Sequence, residues 1–310
     1  MAFLKAFGAY LPSRIVTNDE AGRLTGVTPE WIESVSGIVE RRWAAEGETV
    51  ADLAAAAGAD CLSRAGIDGS KVGMLIVASG TAERRFPGPA SVVARRLGMG
   101  EAPAVDLPIA SAGSLVGLAL AQRLADVYGN ILVIGAEKMS SVVLREPVDR
   151  TTAVLFGDGA GACLVTAEAG GARVIDSALR SDGNFAEDLK LEFDAPLEMN
   201  GRSIIMQASR KIPRAIEELL QRNGRSASEV EVFLMHQANR NLLVRVAESL
   251  GVSAERFYSN IHAYGNTSSA SMLIAAKEWW ETGAASRGAL IVFAAFGAGL
   301  HWGAMLVEAC

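Results

Sequence analysis

The chain has 310 residues, half of them hydrophobic, with 32 glycines and 21% charged residues, enough to bury a full core in one large two-part domain or two medium ones. A formal net charge of −6 argues against a general nucleic-acid binder. Cys61, Cys163 and Cys310 are far apart, form no CxxC pair and are odd in number, which fits a reducing compartment better than a disulfide scaffold.

The opening residues, MAFLKAFGAYLPSR, lack an apolar core flanked by basic residues and a cleavage site, so a cytoplasmic location is expected. Short β-branched runs then alternate with longer helical patterns, the mark of an α/β fold with buried strands. Strands are predicted in VGMLIVASG, APAVDLPIA, NILVIGAEK and AVLFGDGAGACLVTA, with helices in PASVVARRLGM and SLVGLALAQRLADVYG between them. A second half starts near ARVIDSALRS. It supplies the helix RKIPRAIEELLQRNG, the strand VEVFLMH and the helices RNLLVRVAESLG and SSASMLIAAKEWWETG. The apolar stretch GALIVFAAFGAGLHWGAMLVEA is interrupted by four glycines and His301, so it reads as two buried strands and a turn rather than a membrane span.

The halves end alike. Residues 156–165 read FGDGAGACLV and residues 296–307 read FGAGLHWGAMLV, each predicted as strand, glycine turn and strand. Each follows a helix that begins at small residues, SAGS or NTSSAS, which points to an internal duplication too long for a solenoid repeat. No linker composition separates the halves, so they should pack as one unit.

Several motifs are absent. GDGAGA lacks the dinucleotide spacing and is followed by strand, and there is no P-loop, HExxH or His/Cys/acidic cluster at metal spacing. Ser111 in PIASAGSLVG is not in a GxSxG elbow, yet it stands where a strand gives way to a helix whose amides point back at it. His236 closes VEVFLM at another strand-to-helix junction, where α/β proteins place their chemistry, and Asn266 follows Gly265 in an N-cap-like position. Taken singly, each has a structural explanation: helix cap, satisfied core histidine, capping asparagine. Three such groups at equivalent strand ends point to one site.

Over essentially its whole length the sequence resembles the β-ketoacyl-acyl-carrier-protein synthase III family of the thiolase superfamily. The stretches that carry the resemblance are EWIESVSGIVERRW, RRFPGPAS, VDLPIASAG, DRTTAVLFGDGAGA, LMHQANRN, YGNTSSAS and FGAGLHWGAMLV. The resemblance implies a thiolase fold, five-layered αβαβα, built from two βαβαβαββ halves (residues 1–168 and 169–310) and assembled as a homodimer. It implies His236 and Asn266 as the pair that binds the extender's thioester carbonyl, with Ser111 at the nucleophile position, where the family has cysteine. The oxyanion hole would be the amides of Ser111 and Ala298, the latter at a position where glycine is usual. Trp31 and Arg150 would sandwich the adenine of coenzyme A, and Phe86 would close the partner's acyl pocket. No cofactor is implied beyond acyl-CoA as substrate, and the partner protein is malonyl-acyl carrier protein.

Serine is far less acidic than cysteine and forms an oxygen ester that a carbanion attacks poorly, so Ser111 should slow or abolish condensation. The reading adopted is an acyltransferase for decarboxylative condensation in which Ser111 marks an inactivating Cys-to-Ser exchange. The alternatives are a natural serine-dependent acyltransferase of polyketide type that transfers without condensing, and a silent acyl-CoA-binding homologue. Arg84, Arg85 and Arg145 near an acyl pocket would suit a primer with a terminal carboxylate, resembling the branch that condenses glutaryl-CoA toward biotin. Arg210, Lys211 and Arg214, with Arg240 on the next helix, would steer an acidic carrier protein.

Overall fold

The computed structural model describes residues 1–283 and 285–310. Among the described residues, nine strands form one mixed sheet: β1 (Phe3–Tyr10), β2 (Met74–Ala78), β3 (Ala104–Leu107), β4 (Ile131–Glu137), β5 (Gly159–Thr166), β6 (Ala172–Ser181), β7 (Val230–Met235), β8 (Leu290–Gly297) and β9 (His301–Ala309). Their order is β7-β8-β9-β6-β1-β5-β4-β2-β3. The principal helices are α1 (Val50–Ala65), α2 (Pro89–Arg96), α3 (Gly113–Tyr128), α4 (Gly201–Arg222), α5 (Arg240–Ser249) and α6 (Ser271–Glu281).

MLIVA in β2 and ILVIGAE in β4 are buried at every position, as apolar β-branched runs covered on both faces should be. Their alternation sorts the side chains by face. Ile76 and Val133 join Leu115 and Leu118 of α3 and Met272 and Leu273 of α6, whereas Leu75, Val77, Leu132 and Ile134 pack with α1 and α2. On the far side, Ile212 and Ile216 of α4 and Leu243 and Val246 of α5 cover Phe233, Met235, Val292 and Leu306. Five layers result, with α3 and α6 in the middle, which is the αβαβα architecture expected.

The two parts of the chain follow similar element orders. The first half runs β1-α1-β2-α2-β3-α3-β4-β5 and the second β6-α4-β7-α5-α6-β8-β9. Where the second half would need its third strand, Phe257 makes a single parallel bridge to Phe233. The sheet is continuous because Phe3 and Leu4 of β1 pair with Arg173 and Ala172 of β6.

The hairpin expected over FGDGAGACLV is not formed. Phe156 only bridges Asn266, the strand begins at Gly159, and Arg150–Ala153 is a short helix capped by Asp149. Asp158 explains the difference: it is buried and accepts from the Ala44 amide and from the amide and hydroxyl of Ser140, so it anchors a loop instead of turning a hairpin. Residues 296–307 do form the predicted pair, β8 and β9. The alanine-rich α1 and the short-period β1 have patterns too weak to predict, although α1 is fixed by a Thr49–Asp52 capping box and ends at Gly66.

Gly135 lets β4 meet the turn before α6; a Cβ there would stand 2.2 Å from the Ser269 carbonyl oxygen. Gly135→Ala is expected to destabilise the fold by about 1–3 kcal/mol. Urea unfolding checks this, with Gly47→Ala, which has nothing within 4 Å, leaving the midpoint unchanged.

Candidate active site

Ser111 follows β3 through Pro108–Ala110 and stands just before α3, with φ at 61°, a left-handed value that a side chain rarely adopts. The segment Gly297–Ala298 passes directly over it. A Cβ on Gly297 would lie 2.1 Å from the Ala110 carbonyl oxygen and 3.0 Å from the Ser111 Cβ, so only glycine fits at the end of β8. Ser111 donates its amide to Ser268 Oγ at 3.0 Å, and its hydroxyl lies 3.3 Å from the same oxygen. The expected oxyanion-hole amide of Ser111 is therefore engaged, and Ala298 lines the cavity beside it.

His236 is buried at the end of β7, with Nδ1 2.6 Å from Ser271 Oγ. Ser271 spends its single proton on the Ser268 carbonyl, 3.0 Å away, and so can only accept from the ring. That assigns the proton to Nδ1 and leaves Nε2 as the acceptor of a neutral imidazole. Burial lowers the His236 pKa to about 4, with the Ser268 backbone opposing weakly. Asn266 is fixed as well: its Oδ1 accepts from the Ser268 amide at 2.9 Å, which leaves Nδ2 as the donor end. Gln237 of the same HQAN run serves the frame, donating to the Met235 and Tyr258 carbonyls.

Ser111, His236 and Asn266, from three distant segments, line one cavity of about 240 Å³ whose remaining walls are largely apolar, including Met139, Phe156, Leu197, Ile205 and Phe296. Among the described residues no cluster of three His, Cys, Asp or Glu stands ready to hold a metal.

The chain matches two family descriptions, 3-oxoacyl-[acyl-carrier-protein (ACP)] synthase III over residues 105–183 and its C-terminal counterpart over residues 220–309. It is 34% identical to the β-ketoacyl-[acyl-carrier-protein] synthase III of Staphylococcus haemolyticus, covering 98% of each chain. The chain belongs to the β-ketoacyl-acyl-carrier-protein synthase III family. Its structure superposes on the Aquifex aeolicus 3-oxoacyl-[acyl-carrier-protein] synthase III with a TM-score of 0.95 at 34% identity, covering 99% of this chain and 100% of the other. It superposes on the priming β-ketosynthase of the R1128 polyketide pathway with a TM-score of 0.92 at 28% identity, covering 100% and 96%. The family is one of acyltransferases with the thiolase fold, in agreement with the sequence reading.

Around this cavity the other expected residues fall into distinct places. Trp31 is exposed on the short helix Pro29–Ser36, and that helix and the one carrying Arg150 both pack on the helix Asn18–Thr25. Asn239, a cavity residue, donates to the Val35 carbonyl at 2.7 Å, and Asn241 reaches the Ser34 carbonyl at 3.3 Å, which ties the Trp31 helix to the His236 loop. Arg84, Arg85 and Arg145 do not line the Ser111 cavity. They line a second one of about 450 Å³ that shares Gly80, Thr81, Pro108 and Leu191 with the first. There Arg145 donates to the Ser141 and Ala195 carbonyls, Arg85 lies over the Phe193 ring at 4.2 Å, and Glu83, Asp106, Glu192 and Asp194 supply opposite charge. Phe86 is 83% exposed.

Arg210, Arg214 and Arg240 are exposed, Arg214 pairing with Glu218. Lys211 is half-buried, bonded to Asp182 at 2.7 Å and over the Trp302 ring at 4.2 Å, and lines a small surface cavity together with Arg214. His301, bonded through Nδ1 to Ser181, lies outside the site.

Sequence reasoning passes over Glu137, Ser268 and Ser271. The one available signal is an acidic residue closing an otherwise apolar strand, since the partners of Glu137 are remote in sequence, Ser79, Gly80 and Thr81 in the first half and Ser268 and Ser269 in the second.

A lowered histidine pKa makes stability pH-dependent. The unfolded ring takes up a proton near 6.5 and the folded one only near 4, so this contribution is complete above 6.5 and is lost as pH falls toward 4. The difference corresponds to about 3 kcal/mol. Denaturant titrations from about pH 7 to pH 4 should show a shallower loss for His236→Phe than for the unsubstituted protein.

Proposed function

We propose that the protein takes an acyl group from an acyl-CoA onto Ser111, and that with cysteine at this position it extends the acyl group by decarboxylative condensation with malonyl-acyl carrier protein. The observation that carries this is the convergence of Ser111, His236 and Asn266 on a single apolar cavity. Thioester chemistry there needs a donor to the carbonyl oxygen that is set before the substrate arrives, and the Asn266 carboxamide, oriented by the Ser268 amide, supplies one. His236, neutral and with Nε2 as acceptor, complements it. Relatives named as β-ketoacyl-[acyl-carrier-protein] synthase III support the assignment of acyl-CoA and malonyl-acyl carrier protein as substrates.

With serine in place, the enzyme stops at the ester or passes it to another acceptor, because an oxygen ester resists carbanion attack. This is the Cys-to-Ser reading, and transfer without condensation is its natural-serine counterpart. A primer with a terminal carboxylate, as in glutaryl-CoA, is supported by the second cavity, which begins at Gly80 and Thr81 beside the site and holds three arginines. Homodimerisation is supported by the exposed Phe86 and by β3, an edge strand with Val105 38% exposed. The exposed Arg210, Arg214 and Arg240 would meet the carrier protein.

Intact-mass spectrometry after mixing with acyl-CoAs tests the reading. An acyl adduct on residue 111 is expected for the protein and for Ser111→Cys, with carbon dioxide released from malonyl-acyl carrier protein only by Ser111→Cys; absence of an adduct on both removes the proposal. For the primer, Arg145→Ala should lower acylation by glutaryl-CoA about tenfold more than acylation by acetyl-CoA, in line with loss of a charge-assisted contact. Equal losses would remove the carboxylate from the assignment.

A further inference from the structure

Glu137 is fully buried at the end of β4, and every group that hydrogen-bonds to it is a hydroxyl or a backbone amide. Oε2 accepts from Thr81 Oγ1 at 2.6 Å, from the Gly80 amide at 3.0 Å and from Ser79 Oγ at 3.3 Å. Oε1 accepts from Ser268 Oγ at 3.0 Å and lies 2.8 Å from Ser269 Oγ. Ser268 therefore commits its one proton to the carboxylate. Its oxygen also accepts the Ser111 amide, and a second lone pair faces the Ser111 hydroxyl at 3.3 Å. The direction follows from valence: Ser111 Oγ–H donates to Ser268, and Ser268 Oγ–H donates to Glu137. His236 is bonded to Ser271 instead. Both serines of the chain hold left-handed backbone angles, with φ at 61° for Ser111 and 48° for Ser268, a strain that clusters at functional positions.

We propose that Ser268 and Glu137 form a proton relay that activates Ser111, separate from His236. This rests on the acyl-transfer reading above. In the step, Ser111 Oγ bonds to the thioester carbonyl carbon while its proton passes to Ser268 Oγ and the Ser268 proton passes to Glu137 Oε1. The carbonyl π pair moves to oxygen. On collapse the carbonyl re-forms and the C–S bond breaks with its electrons on sulfur, while Ser268 gives the departing sulfur the proton it took from Ser111 and regains its own from Glu137. The products are the Ser111 ester and CoA thiol, with the relay restored. Ser268 touches the reacting oxygen and is catalytic; Glu137 acts through Ser268 and positions it. Burial raises the Glu137 pKa, which makes its carboxylate a stronger base than an exposed one. The 3.3 Å approach is long for a hydroxyl pair, and catalytic hydrogen bonds of this kind tighten when substrate binds.

The relay matters only to a nucleophile that cannot ionise alone, and this supplies the test. Single-turnover acylation by acetyl-CoA, followed by intact mass, is measured for Glu137→Gln and Ser268→Ala, each in the Ser111 protein and in Ser111→Cys. Expected is a loss of about 100-fold or more with Ser111, the size of a general-base contribution, and less than about fivefold with Ser111→Cys, whose thiol ionises at the helix N-terminus. Equal losses in both backgrounds would show a structural role and overturn the relay, as would no loss with Ser111. Should Glu137→Gln fail to fold, by thermal unfolding, Ser268→Ala carries the comparison. If Ser111→Cys is acylated and the Ser111 protein never is, the relay falls and acyl transfer stands. If neither is acylated, the acyl-transfer reading falls and the relay with it.

Discussion

A carboxylate buried without a cation must have its lone pairs met by donors, because each unmet one costs a large share of the stability of a domain. Glu137 meets this requirement from both halves of the chain: Ser79, Gly80 and Thr81 from the first, Ser268 and Ser269 from the second. The turn 266–271 is thereby pinned to the end of β4. Through that turn the remaining site residues are placed, since Ser268 orients Asn266, Ser271 orients His236, and Ser268 meets Ser111. Gly135 allows the approach by leaving room for the Ser269 carbonyl. The carboxylate thus joins the loop that follows β2 to the turn that precedes α6.

Much of the architecture is legible in the sequence because buried strands advertise themselves. VGMLIVASG, NILVIGAEK, VEVFLMH and the final pair are apolar, β-branched and short, and each is a strand within a few residues of its expected bounds. Ser111, His236 and Asn266 are legible for a related reason: a polar group at the end of such a run has nowhere to go but a site or a cap. Glu137 defeats the same rule, because an acidic residue after ILVIGA reads as an exit to solvent. FGDGAGACLV misleads in the opposite way, its glycines suggesting a hairpin where a buried aspartate pulls the loop aside. The long cations are the hardest to place. Lys211 sits among arginines in sequence and yet folds back on Asp182 and Trp302, a choice made by neighbours that only the fold supplies.

The chemistry of the cavity is arranged before any substrate arrives. Hydrogen bonds to serines determine which atom of His236 bears the proton and which end of Asn266 donates, so the fold itself orients both groups. Asn239 and Asn241 likewise bind the helix that carries Trp31 to the loop that carries His236.

The two halves differ at one place with a geometric meaning. The first ends in a true border strand, β3, whereas its counterpart in the second is a lone bridge at Phe257. β7 is thereby the other margin of the sheet, covered at Phe233 by that single bridge, so both margins carry ladder groups but only one has a local partner. An uncapped ladder edge is a template for another extended chain, and Phe257 shortens the one that β7 would otherwise offer.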